Sequence, residues 1–153
     1  MTRLVVRFPA PNKNGCFAFW VGELEFTDAF FHTIAYRLED SRWGNRFPVV
    51  MRDLYDGRVG VEHISELEQE LKQIRQEFKS LNPDQVVVDM NDLNKQLPWG
   101  KNISHEITDM SNYFVTCDGK QLFDNLFKAI DCAKRLHMPL HLASSHDDIQ
   151  DLD

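Results

Sequence analysis

The chain has 153 residues, with 24 Asp and Glu against 17 Lys and Arg, and a formal net charge of −7 at pH 7. This length predicts one domain that buries enough surface to fold without a disulfide or a metal. The acidic balance excludes duplex DNA and RNA as direct ligands, because binding to phosphates requires clustered Lys and Arg. No run of the sequence is apolar enough to span a bilayer, so we expect no membrane segment.

The first third of the chain predicts a hairpin and a helix. Strand-like runs at 4–8 and 16–21 flank a loop rich in Pro, Asn and Gly, which indicates two antiparallel strands. Thr27 is the candidate N-cap of the first helix. The apolar face of this helix consists of Phe30, Phe31, Ile34, Ala35 and Leu38. A short second helix is expected to begin at Pro48 and to end at Gly57.

The clearest periodic pattern predicts a long helix that ends before Pro83. Its apolar stripe, at spacings of three and four, is Val61, Ile64, Leu67, Leu71, Ile74, Phe78 and Leu81. The Val-rich run at 85–90 predicts a buried strand, and an irregular stretch at 91–111 follows it.

The last third predicts two strands and a helix. The run at 113–117 predicts a strand, and Asp118 with Gln121 forms a capping-box pattern. The helix that follows ends before Pro139, and a final strand is expected at 140–142. The apolar face of that helix consists of Leu122, Phe123, Leu126, Phe127, Ile130 and Ala133. The pattern as a whole predicts an α+β domain, with an antiparallel or mixed sheet and about four helices packed on it.

More than half of the negative charge lies at the C-terminal end. The segment 144–153 holds four aspartates and no Lys or Arg, so it contributes −4 of the net −7. We therefore expect one α+β domain over 1–143 and an acidic, flexible tail over 144–153. The charged side chains of the tail include Asp147 and Asp148.

Cys117 is the residue that most invites an enzymatic hypothesis. It precedes a predicted helix, and a helix N-terminus lowers the pKa of a thiol, so Cys117 could act as a nucleophile if a His base lay beside it. A buried structural role is the commoner fate of a free cysteine. An odd count of three cysteines, without a secretion signal, predicts a reduced cytoplasmic setting.

Two groups of residues are candidates for a metal site. Cys132, His137, His141 and His146 are of the types that bind zinc, but their spacing matches no closed zinc site. Asp84, Asp89 and Asp92 carry oxygen ligands, although acids in such loops more often cap turns. We therefore predict no metal and no cofactor.

Two Trp-Gly turns are the most distinctive features of the sequence. Trp43 is followed by Gly44 and Arg46, and Trp99 by Gly100. Trp and Arg in loops are typical of protein interfaces, because they combine large rigid area with hydrogen bonding. A Trp that covers one end of the core is the structural alternative for each turn.

Four blocks of the sequence stand out in order along the chain. They are 38–57, with its Trp-Gly-Asn-Arg-Phe-Pro core; 89–93; 98–104, with Pro98-Trp-Gly-Lys-Asn; and 112–123, with Tyr-Phe-Val-Thr-Cys-Asp-Gly. Together they resemble a family of bacterial immunity proteins, family 70. The similarity extends over about 17–143. It implies a stoichiometric antidote of polymorphic-toxin or contact-dependent inhibition systems, which binds the C-terminal domain of a toxin in the cytoplasm. The resemblance supplies no catalytic residues.

The sequence therefore predicts a non-enzymatic inhibitor of a toxin domain, including the case of a nuclease with a basic substrate groove. We expect partner contacts from acids that lie near the Val-rich run or in the tail, and from the residues of the Trp-Gly turns. The candidate contacts are Trp43, Arg46, Asp84, Asp89, Asp92, Trp99, Asp147 and Asp148. Two alternatives remain open: a small enzyme that uses Cys117, and a regulatory domain that binds a small ligand.

Overall fold

A computed structural model describes residues 3–7, 18–116 and 119–144 of the chain. Its strands are β1 (Arg3–Arg7), β2 (Ala18–Glu23), β3 (Arg58–Val59) and β4 (Leu140–Ser144). They form one antiparallel sheet in the order β2-β1-β4-β3. The predicted pairing of the first two strands is confirmed, whereas β3 is a strand that the sequence did not reveal because only two residues pair.

Four helical segments pack with this sheet. They are α1 (Leu24–Thr33) with a π-helical continuation (Ile34–Leu38), a short π-helix (Val49–Leu54), α2 (Ile64–Phe78) and α3 (Leu122–Leu136). Helix α3 contacts β2 and α2, and α2 also contacts the short π-helix. The α+β class is therefore confirmed as a single compact domain. No helix in the described ranges is both long and apolar enough to cross a membrane.

The first helix begins earlier than predicted. Its first residue is Leu24, directly after β2, and Thr27 lies inside the helix instead of capping it. The Thr27 hydroxyl donates a hydrogen bond to the carbonyl of Glu23 at 3.0 Å, one turn back. Threonine in a helix interior can make this bond to the carbonyl one turn back. The hydroxyl of Thr27 therefore has a hydrogen-bond partner within the helix, although the residue type is also suited to an N-cap.

The predicted core faces of the helices are confirmed except at Val61, which is 44% exposed in the 3-10 turn Val61–His63 that precedes α2. Helix α2 buries Ile64, Leu67, Leu71, Ile74 and Phe78. Helix α3 buries Leu122, Phe123, Leu126, Ile130 and Ala133. The N-cap of α3 is Gln121, so the predicted cap at Asp118 is wrong; Asp118 itself lies outside the described residues. Position 48 caps the short π-helix, and the chain turns at Gly57 with a φ of +106°.

Phe30 stands at the centre of the core. Its ring, 1% exposed, makes edge-to-face contacts with Phe31, Phe78, Phe114 and Phe123, at centroid distances of 5.5, 6.1, 5.2 and 5.5 Å. These partners come from α1, α2, the 113–116 segment and α3. Edge-to-face geometry is favoured for aromatic pairs, so one side chain of α1 joins α2, α3 and the 113–116 segment.

The predicted strand at 85–90 is wrong, although Val87 and Val88 are buried and Val86 is partly buried. The segment lies along α1, whose side chains satisfy its backbone. The Val87 N–H donates to Thr33 Oγ1 at 2.9 Å, and the Met90 N–H donates to His32 Nδ1 at 2.9 Å. The Arg37 Nε donates to the carbonyl of Gln85 at 3.0 Å. Apolar alternation signals burial, but a strand also needs a neighbouring strand as partner.

The predicted strand at 113–117 is also wrong. Its described residues make one isolated bridge, between Val115 and Gln121, as the chain turns back on itself. The Thr116 N–H donates to the carbonyl of Lys120 at 2.7 Å, and the Leu122 N–H donates to the carbonyl of Phe114 at 3.0 Å. The turn thus supplies local partners in place of a sheet.

Thr33→Val tests the bonds that replace the predicted strand at 85–90. We expect this change to lower the free energy of unfolding by about 1–3 kcal/mol, because the buried Val87 N–H loses its acceptor. Urea denaturation measures the change. Thr27→Val is the matched control on the same helix, since the Thr27 hydroxyl only donates to a carbonyl. Equal losses in the two variants would contradict the role assigned to Thr33.

Candidate functional site

Three adjoining depressions form one face, which we call the loop face, over residues 83–116 and the start of α1. The acidic depression is lined by Glu25, Asp28, His32 and Asp89, among others. The central depression is lined by Asp84, Val86, Leu93 and Lys101, among others. The apolar depression is lined by Phe26, Trp99, Ile107 and Val115, among others.

The three depressions are continuous because neighbours share walls. Val88 and Lys95 line both the acidic and the central depression. Ile103 and Tyr113 line both the central and the apolar depression. Their volumes are about 270, 200 and 310 Å³. Small-molecule sites usually occupy about 300–1,000 Å³, and only the apolar depression reaches the lower end of that range. Each concavity is of a size that a side chain of a protein partner can enter.

A hydrogen bond and a ring contact fix the Trp99 side chain in the wall of the apolar depression. Its indole Nε1 donates to the Tyr113 hydroxyl at 3.1 Å. Its ring packs edge-to-face with the ring of Phe26, with the two centroids 5.0 Å apart. Burial raises the pKa of Tyr113, so the phenol stays protonated near neutral pH. Gly100 follows with a φ of +55°, as the predicted Trp-Gly turn requires. The indole is fixed, yet 37% exposed.

Further apolar side chains of the loop face are open to solvent. Leu93 is 57% exposed in the central depression, and Val115 is 40% exposed in the apolar one. Phe26, Ile103 and Ile107 are partly buried against the core beside them. A contiguous apolar surface of this kind is typical of an interaction site.

The predicted acids of the loop face shape its turns. Asp89 accepts a hydrogen bond from the Asn91 N–H at 2.9 Å, and Asp92 accepts one from the Asn94 N–H at 3.3 Å. Asp84 is exposed in the 3-10 turn Pro83–Gln85. None of the salt bridges between described residues includes these three carboxylates. Their charge therefore remains available to a partner.

Trp43 is bound more closely into the protein than Trp99. Its Nε1 donates to the carbonyl of Met51 at 2.7 Å. Its ring contacts His32 and Tyr55 edge-to-face, at 5.4 and 4.9 Å. The Tyr55 hydroxyl in turn donates to Asp28 at 3.3 Å, in the wall of the acidic depression. The aromatic cluster around Trp43 therefore adjoins the loop face.

Arg46 forms a two-pronged ion pair with Glu77 of α2. Its Nη1 and Nη2 donate to the two carboxylate oxygens at 2.7 and 2.6 Å. The same side chain donates to the carbonyl of Leu38 at 2.9 Å, and it is 42% exposed. The pair raises the pKa of Arg46 and lowers the pKa of Glu77. Arg46 thus has an internal partner and an open edge.

Glu39 organises the turn that carries these residues. It is 1% exposed, and its two carboxylate oxygens accept hydrogen bonds from the backbone N–H groups of Gly44, Arg46 and Phe47, each at 3.0 Å. Gly44 has a φ of +79°, and a Cβ there would lie 2.6 Å from Arg52. The positive φ favours glycine at this first Trp-Gly turn, and a larger residue would also have to displace the Arg52 side chain.

The structure does not describe three of the sequence candidates. Asp147 and Asp148 lie outside the described residues, as does Cys117. Within the ranges that are described, no three His, Cys, Asp or Glu side chains converge as a metal-binding group.

Sequence reasoning missed the residues of α1 that complete the loop face. Glu25, Phe26 and Asp28 lie in the first turns of that helix. Glu25 and Phe26 precede Thr27, the predicted N-cap, and Asp28 was in the predicted helix but was not among the predicted contacts. The signal for Leu93 was available, since it is an apolar residue in an otherwise polar, irregular stretch. Val115 was assigned to a strand, where its exposure does not follow from the sequence.

The comparison with family models decides the family. The model of the family described as Immunity protein 70 matches residues 13–142, most of the chain. The chain belongs to the Immunity protein 70 family. The resemblance noted in the sequence is thereby confirmed, and the family implies a toxin-neutralising role in general, through a cognate toxin protein. The searches of curated proteins and of solved structures each gave no significant match.

Glu39→Gln tests how this Immunity protein 70 chain holds its first Trp-Gly turn. We expect the change to lower the free energy of unfolding by about 2–4 kcal/mol, because an amide cannot accept from all three N–H donors. Glu68→Gln is the control. It removes a surface ion pair with Lys134 of 2.6 Å, which is worth about 0–1 kcal/mol. Chemical denaturation of both variants measures the difference, and comparable losses would contradict a special role for Glu39.

Proposed function

We propose that this protein is the cytoplasmic antidote of a toxin domain, which it neutralises as a one-to-one complex without catalysis. The match of the Immunity protein 70 model over residues 13–142 carries the proposal. The inhibitor occupies the active site or the substrate path of the toxin, so that the complex itself is the inactive state. The toxin is the product of the gene immediately upstream.

The charge of the chain supports a basic partner, such as a nuclease whose groove binds nucleic acid. The net charge is −7, and the acids of the loop face have no cationic partner among the described residues. An acidic inhibitor can take the place of the phosphate backbone in such a groove. Opposite charges also accelerate association, and salt weakens that acceleration.

The proposed contacts differ in how free they are to reach a partner. Trp99 is the principal anchor, because its indole is fixed and exposed. Asp84, Asp89 and Asp92 supply the electrostatic contribution. Trp43 and Arg46 are contacts through the parts of their side chains that internal partners leave exposed.

Co-expression with the C-terminal domain of the upstream gene product tests the function. We expect rescue of growth and co-purification of the two proteins in equal amounts, because a stoichiometric inhibitor must stay bound. The control carries a stop codon in place of Glu39, so that the same transcript yields no folded inhibitor. Absence of both rescue and co-purification with the full chain would refute the proposal.

Deleting residues 145–153 tests the acidic tail, and it leaves β4 complete. The deletion removes the four aspartates of the tail, and we expect slower association with the toxin domain at low salt, by about twofold to tenfold. Stopped-flow measurements at low and high salt separate steering from contact. An association rate and salt dependence equal to those of the full chain would show that the tail only carries solvated charge.

A further inference from the structure

We propose that the loop face is the docking surface for a single segment of the toxin domain, which presents an apolar side chain beside Lys or Arg. This inference rests on the proposed function and adds to it the surface and the chemistry of the partner segment. The apolar side chain enters the apolar depression at Trp99. The cationic side chain lies over the acidic depression.

The apolar end has the form of a preformed anchor site. Its walls are the rings of Phe26 and Trp99 and the aliphatic chains of Ile107 and Val115. The hydrogen bond from Trp99 to the Tyr113 hydroxyl and the contact with Phe26 fix the indole before a partner arrives. A rigid aromatic wall costs little conformational entropy on binding, so an apolar side chain is the complementary occupant.

The other end has the opposite character. The walls of the acidic depression include three carboxylates, of Glu25, Asp28 and Asp89, and one ammonium group, of Lys95. The carboxylates therefore outnumber the ammonium group. The salt bridges between described residues include none of the four. Charge complementarity favours a cationic side chain above these walls.

The continuity of the face favours one segment over two separate contacts. The central depression shares Ile103 and Tyr113 with the apolar end, and it shares Val88 and Lys95 with the acidic end. Leu93 stands exposed between the ends and extends the apolar surface into the centre. A partner segment that crosses the face places its apolar and cationic side chains in order along its length.

Charge substitutions at two exposed apolar positions test the surface. We expect Val115→Asp and Leu93→Asp each to weaken binding of the upstream toxin domain by about tenfold or more, because a carboxylate replaces apolar contact at the anchor. Val61→Asp is the matched control: this valine is 44% exposed, against 40% for Val115, and lies at the start of the α2 region, away from the loop face. Calorimetric titration measures affinity, and thermal unfolding verifies that each variant is folded.

A second comparison tests the charge of the partner. Glu25 is an exposed carboxylate in the wall of the acidic depression. We expect Glu25→Lys to slow association about fivefold at low salt, and to have little effect at about 0.5 M salt, where screening is strong. Asp131→Lys is the control, because Asp131 is exposed on α3 and its substitution makes the same change in net charge. Equal effects of the two substitutions would reduce the cationic part of the inference to bulk charge and overturn it.

The outcomes separate this inference from the proposed function. If the wild-type chain neither binds nor neutralises the toxin domain, both fall. If it binds, and Val115→Asp and Leu93→Asp bind as tightly as Val61→Asp, only the docking surface is overturned. Light scattering tests the alternative occupant, a second copy of this chain. A wild-type dimer that Val115→Asp converts into a monomer would make the face an interface between two copies, and would overturn a toxin segment as its ligand.

Discussion

The loop face depends on hydrogen bonds in which side chains of α1 accept from the backbone N–H groups of 85–90. The segment is buried but has no neighbouring strand, so its N–H groups require other acceptors. Thr33 and His32 accept from Val87 and Met90, at 2.9 Å in each case. These bonds fix the position from which the irregular stretch departs. The acidic and central depressions are therefore built by the first helix as much as by the loop that covers it.

Two carboxylates, one buried and one partly buried, play the same part elsewhere in the chain. Glu39 satisfies three N–H groups of the first Trp-Gly turn, and Glu70 of α2 accepts from the Val49 and Val50 N–H groups at the start of the short π-helix, at 3.3 and 2.9 Å. Burial raises the pKa of Glu70, while those two hydrogen bonds oppose the rise. Part of the acidic composition thus serves the fold, and the net charge of −7 overstates what the surface offers to a partner.

The two Trp-Gly turns use similar sequences for different tasks. Trp43 donates to a backbone carbonyl and packs against His32 and Tyr55, so most of its bonding capacity is used within the protein. Trp99 donates to the hydroxyl of Tyr113 and keeps an exposed edge at a depression. Similar local patterns therefore diverge because the tertiary surroundings determine which face of each indole remains in contact with solvent.

The sequence by itself determined the family, the α+β class and the core faces of the helices, because apolar periodicity and motif order are properties of the chain alone. It could not determine whether a buried run pairs as a strand: 85–90 and 113–116 find their partners in side chains and turns, which only the packed structure brings near. The loop face was likewise decided by tertiary structure. Phe26, Leu93, Trp99 and Val115 are distant along the chain, and their common exposure arises from how the first helix and the irregular stretch pack.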